Sequence, residues 1–193
     1  MVNAAVTLNG QYPVQVIAKL NQSRLLRLTS IDLGTRIEIR TTGELLDFGD
    51  PTHWASLPKA ATVLAGFGPR NPGQRLDRWL AQIGGGLDLT IFSALPKGSG
   101  LGTSSILGAA VLACLGRVQG ISHGQGELIS LTSVLEQWMN TGGGWQDQVG
   151  GITPGVKLIT TTPGGEQKIN LQWTPFERLR GTPWHDSLLL YYT

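Results

Sequence analysis

The hydrophobic pattern changes period once in a telling place. Leu87 to Ala94 alternates apolar and polar positions and predicts a β-strand. Ile106 to Leu115 is apolar on nearly every side and predicts a buried helix running from Ser105 to Val118. Between them lies Leu95-Pro96-Lys97-Gly98-Ser99-Gly100-Leu101-Gly102-Thr103-Ser104-Ser105. Glycines let the backbone fold closely around a ligand, and the free N–H groups of a helix start point outward. The helix dipole favours negative charge there, so strand, glycine-hydroxyl loop and helix together predict a phosphate cradle.

The remaining pattern predicts elements on both sides of that loop. Asn3 to Leu8 and Pro13 to Leu20 read as strands, and the Asn9-Gly10 pair between them predicts a hairpin. Arg24 to Ile31 and Arg36 to Arg40 add two strands around Asp32-Leu33-Gly34, with their arginines expected in solvent. Residues 51–58 read as loop, with Trp54 packing inward and His53 at the surface. Leu57 to Phe67 and Leu76 to Ile83 carry helical spacing. Lys59, near the start of the first, is expected to be solvent-exposed. A helix beginning near Ser122 or His123 places Leu128, Leu131, Val134, Leu135 and Trp138 on its core face and leaves Glu136 and Gln137 off it. Thr141 to Gly151 forms a second glycine loop. Strands follow at Val156 to Thr160, Lys168 to Trp173 and Leu188 to Tyr192, with a turn or short helix at Phe176 to Arg180. Met1 leads almost directly into a strand and Thr193 ends inside one, so a piece truncated at both ends is expected.

Composition narrows the function classes. With 193 residues and 40% hydrophobic content the chain can bury one real core. Fifteen Lys+Arg face thirteen Asp+Glu, a balance that gives no argument for nucleic acid or a membrane surface. Cys114 is the single cysteine, which excludes a disulfide framework and a thiolate metal cluster. No apolar run reaches the roughly 20 residues of a membrane span, and no signal-peptide pattern opens the chain. A cytoplasmic protein is the expectation. The 27 glycines cluster at turns and loops, which points to close backbone–ligand approaches and not to a linker.

Three familiar phosphate or nucleophile loops fail on spacing. A P-loop needs Lys-Ser/Thr after its last glycine, but Lys97 precedes the glycines. Gly98, Gly100 and Gly102 have the wrong intervals for a dinucleotide fingerprint, with no acid about 20 residues later. Ser104 has Gly102 before it but Ile106 after it, so it is not a nucleophile elbow. Pro96 to Ser105 instead resembles the second motif of the GHMP kinases, Pro-x-Gly-(Ser/Ala)-Gly-Leu-Gly-(Ser/Thr)-Ser-(Ser/Ala). Leu8-Asn9-Gly10-Gln11, Arg27 to Asp32, Pro58 to Ala61, Leu64 to Phe67, Val134 to Gln137, Thr141 to Gly151 and Leu189 to Thr193 are similar to the L-fucokinase branch.

The resemblance implies an α+β fold, the GHMP kinase N-terminal domain (ribosomal protein S5 domain 2-like), with a mixed sheet and helices on one face. It implies ATP-dependent phosphorylation of the anomeric hydroxyl of L-fucose, with a heptose phosphate kinase or a catalytically inactive nucleotide-binding remnant as alternatives. ATP and Mg²⁺ are the cofactors it implies, and a sugar is the acceptor. Matched residue by residue, Ser104 and Glu136 correspond to the Mg²⁺ ligands and Asp147 to the catalytic carboxylate. Pro96, Lys97, Gly98, Ser99, Gly100, Leu101, Gly102, Thr103, Ser104 and Ser105 correspond to the nucleotide-binding loop. Gly143, Gly144, Trp145 and Asp147 fall where the sugar is held. The family's first motif and its C-terminal domain have no counterpart in residues 1–193, so a separate or continuing C-terminal half is an expected partner.

Overall fold

The computed structural model describes residues 1–182 apart from 6, 8, 9, 97, 141–144, 163–167 and 176–181. The strand expected at Leu188 to Tyr192 and the turn at Phe176 to Arg180 lie outside the described residues. Two sheets carry the fold. The larger takes β2 (Val14–Asn21), β3 (Leu26–Ser30), β4 (Thr35–Ile39) and β5 (Gly86–Ser93) in the order β2-β5-β3-β4. It is mixed: β5 runs parallel to β3 and antiparallel to β2, while β3 and β4 form an antiparallel pair.

Alternation explains the two faces of this sheet. Leu26 and Leu28 on β3 and Leu87, Leu89 and Ile91 on β5 point inward and are buried. Against them pack α2 (Ser56–Leu64), α3 (Leu76–Gln82) and α4 (Thr103–Val118), through Ala60, Val63, Leu80, Val111, Leu112 and Leu115. On the opposite face the register sets Arg27 across from both Glu38 and Asp88. Its guanidinium meets Glu38 at 3.1 Å and Asp88 at 3.2 Å, so the strand arginine is ion-paired across two neighbours.

The smaller sheet joins β1 (Val2–Ala4), β6 (Val156–Thr162) and β7 (Lys168–Thr174) in the order β1-β6-β7, all antiparallel. The expected β1–β2 pairing is not seen among the described residues, where β1 pairs with β6 from the other end of the chain, and part of the expected turn, Leu8 and Asn9, lies outside them. A turn signal is local, whereas an edge strand pairs with whichever partner the core brings beside it. α5 (Gln125–Trp138) and α6 (Trp145–Ile152) lie between this sheet and α4, and α6 packs on Ile129 and Ile159 through Val149.

Two further differences concern charge and a short helix. Lys59 is 8% exposed, not solvated, because its Nζ donates to the Asp47 carbonyl at 3.0 Å. α1 (Thr42–Leu46) is a helix the hydrophobic pattern does not announce, and Thr41 with Glu44 closes a capping box at its start.

Candidate active site

β5 delivers the chain to the glycine loop at Ser93, and α4 takes it away at Thr103. Gly98, Gly100 and Gly102 all have left-handed backbone, with φ of 78°, 69° and 68°. Gly102 is the N-cap of α4, and its side-chain-free position leaves the first-turn N–H groups without a capping acceptor among the described residues. Ser99 and Thr103 hydroxyls face each other at 3.4 Å across the loop. Leu101 is 36% exposed and stays out of the core.

Beside this helix start opens a cavity of about 410 Å³. Pro96, Gly98, Thr103 and Ser104 form its loop side, and Trp54, Leu57, Leu107 and Met139 give it apolar wall. Asp32 and His53 also line it, although the sequence places His53 in an ordinary surface loop. Asp32 is fixed there by two donors, the Ser30 hydroxyl at 3.1 Å and the Ser93 N–H at 3.2 Å.

Glu136 also reaches this cavity. It is 8% exposed, so the helix face that the pattern assigns to solvent is turned inward at this residue. The Ser105 hydroxyl and the Gln148 side-chain amide donate to its two carboxylate oxygens. Burial pushes the Glu136 carboxyl above the usual carboxylate range, the two hydrogen bonds oppose that rise, and the nearby charge of Asp147 adds to it. Ser104, the neighbouring hydroxyl, is exposed and lines the cavity together with Glu136, while Ser105 is buried at 3%.

Asp147 sits in the first turn of α6, a position its charge favours. Its side chain lies directly over Gly102: a Cβ at Gly102 would stand 3.2 Å from the Asp147 Cβ and 3.3 Å from its Cγ. The chain thus brings together three parts far apart in sequence, the start of α4, Glu136 on α5 and Asp147 on α6. Close packing of α6 on α4 makes this possible, because a Cβ at Gly151 would meet Ile106 at 2.5 Å. Trp145 packs against the cluster of Ile129, Val149 and Ile159. Lys97, Gly143 and Gly144 lie outside the described residues.

Gln148 is the site residue the motif alone does not single out. It is 1% exposed, next to Asp147 and bonded to Glu136, so it couples the two carboxylate-bearing helices. Its adjacency to Asp147 in the sequence was the available signal.

The family model for the GHMP kinases N terminal domain matches residues 74–155, from the start of α3 through α6. Over that stretch the chain matches the GHMP kinases. It is 41% identical over 196 residues to the L-fucokinase/L-fucose-1-P guanylyltransferase of Bacteroides fragilis, covering 100% of this chain and 21% of that protein. It is 34% identical over 167 residues to the bifunctional fucokinase/GDP-fucose pyrophosphorylase of Arabidopsis thaliana, covering 85% of this chain and 15% of that one. The chain therefore spans about a fifth of the length of the first relative and less of the second. Its GHMP kinase fold is shared with a D-glycero-D-manno-heptose 1-phosphate kinase from Bacteroides thetaiotaomicron, at a TM-score of 0.56 and 19% identity over 80% of this chain and 46% of that one. Among the described residues no helix is long and apolar enough to cross a membrane.

Proposed function

We propose that this GHMP kinase chain supplies the phosphate loop, metal carboxylate and acceptor-side base of an ATP-dependent enzyme that phosphorylates the anomeric hydroxyl of L-fucose. The carrying observation is the position of Asp147 over Gly102, at the helix start where the phosphates would lie. The identities of 41% and 34% to two fucokinases support the sugar assignment.

Phosphoryl transfer asks a protein mainly for positioning and charge stabilisation. The open N–H groups of α4 would receive phosphate oxygens, with Ser99 and Thr103 hydroxyls beside them. The apolar wall of Trp54, Leu57 and Leu107 suits the flat base of a nucleotide. For Mg²⁺ the donor set fits: a hydroxyl at Ser104 and a carboxylate at Glu136 line one cavity, and both are hard oxygen ligands. Bound there, Mg²⁺ would offset the negative charge of the phosphates. Asp147 is exposed, and its carboxylate would accept the proton of the sugar hydroxyl as that oxygen attacks phosphorus. We assign residues 1–193 to part of the N-terminal domain, with the first motif and the closing C-terminal domain supplied by sequence outside them.

In the intact protein, Asp147→Asn is expected to abolish L-fucose phosphorylation while ATP binding persists, measured by turnover and by nucleotide titration. Undiminished turnover overturns the assignment. Parallel assays with L-fucose and a heptose phosphate decide the sugar, and preference for the heptose replaces fucose in this reading.

A further inference from the structure

Outside the cavity, the polar group with the most unusual surroundings is Lys157. It lies at the start of β6, is 0% exposed, and among the described residues no charge of opposite sign pairs with it: burial pulls its ammonium below the usual lysine range. Its Nζ donates to oxygen on every side. The Thr153 carbonyl is at 2.6 Å, the Gly150 carbonyl at 3.1 Å, the Gly155 carbonyl at 3.4 Å and the Asn3 side-chain oxygen at 2.7 Å.

Those acceptors belong to the C-terminal end of α6, to the turn that follows it and to β1. A helix leaves its last carbonyls unsatisfied and carries partial negative charge there, and a cation at that end answers both. Asn3 is wedged against the same helix, since a Cβ at Gly150 would lie 2.6 Å from its Nδ2. The eight residues of α6 are thus held at both ends: Asp147 over Gly102 at one, Lys157 and Asn3 at the other. A helix only about two turns long transmits a shift at one end to the other.

We propose that Lys157, with Asn3, is a positioning residue for Asp147: its ammonium clamps the C-terminal carbonyls of α6 to β1 and sets where the carboxylate stands over the phosphate loop. The inference rests on Asp147 acting as the acceptor-side base. Removing the side chain beyond Cβ would leave a pocket lined by three carbonyls and one amide oxygen, the size and chemistry of a small alkylammonium ion.

The test is chemical rescue in the intact protein, with L-fucose and ATP as substrates. Lys157→Ala is expected to lower kcat by about 10- to 100-fold, the scale of a misplacement near 1 Å, with the KM for ATP nearly unchanged. Propylammonium should restore a large part of kcat, and tetramethylammonium at equal ionic strength should not. A loss of kcat that only tracks the unfolded fraction in thermal melts, or that propylammonium leaves untouched, overturns the proposal. Asn3→Ala, which removes one acceptor and keeps the lysine, should give a smaller loss confined to kcat. An unchanged kcat in that variant counts against the clamp even if Lys157→Ala does not fold. Asp147→Asn assayed alongside separates the two readings: if it stays active the base assignment fails, and if it is inactive while Lys157→Ala is unaffected only the clamp fails.

Discussion

The two sheets are held by different chemistry. Behind the four-stranded sheet the interior is mainly aliphatic, with Leu26, Leu28, Leu87 and Leu89 against Val111, Leu112 and Leu115. Between the three-stranded sheet and α4 the buried groups include Lys157, Gln148, Glu136 and Ser105. Aliphatic packing stabilises without direction, whereas buried polar groups must be hydrogen-bonded and so fix orientation. The residues proposed for chemistry stand on the second kind of interior. Stability and positioning are thereby divided between two parts of one small fold.

The sharpest way to break that division is to damage each part and read both stability and turnover. Leu89 is 1% exposed on the central strand β5, so Leu89→Ala should cost about 2–5 kcal/mol of stability. Thermal or urea unfolding measures the loss, and turnover per folded molecule should hardly change. A large fall in kcat with folding intact would mean that the aliphatic core also sets the site.

Gly102→Ala probes the other part. The residue has φ of 68° and faces Asp147 at 3.2 Å, so a methyl group there meets both backbone strain and the carboxylate side chain. The expected stability loss is about 1–2 kcal/mol, smaller than for Leu89→Ala. Turnover should nevertheless fall by about 100-fold or more, because the new methyl group displaces Asp147. A variant with near-normal kcat would show that Asp147 need not sit against the helix start.

The same contrast explains what could be read from the chain. The strand, loop and helix from Gly86 to Val118 were legible because alternation, a glycine cluster and an apolar run follow one another within 33 residues. The hairpin of β3 and β4 was legible for a similar local reason. The partner of β1 was not, since Val2 to Ala4 pair with Val156 to Leu158 and nothing local encodes so distant a register. Buried charge was equally hidden. Lys59 reads as a solvent residue because lysine is rarely buried, yet the Asp47 carbonyl receives its ammonium, and at Lys157 a ring of oxygens makes burial tolerable. Glu136 was nameable through the family resemblance, yet its inward turn depends on Ser105 and Gln148 from two other helices. The helix α1 did carry a readable signal, Thr41 followed by Glu44, which an emphasis on hydrophobic period passes over.

The smallest expected effect is also the one with a distinctive sign. Glu136 is held above the usual carboxylate range by burial, so the folded protein binds its proton more tightly than the unfolded chain does. The stabilisation tied to that proton is complete below the ordinary glutamate value of 4.5 and is lost as pH rises through the raised value. Glutamine at this position carries no titrating proton, and its amide can still bond the Ser105 hydroxyl and the Gln148 side chain. Without magnesium or nucleotide, Glu136→Gln should therefore match the parent near pH 4.5 and melt a few degrees higher at pH 8. Melting curves across that range check it, and a difference that stays flat or reverses removes the buried-charge argument. Such a variant would be more stable and less active, which is the expected signature of a carboxylate kept for ligand binding at the expense of the fold.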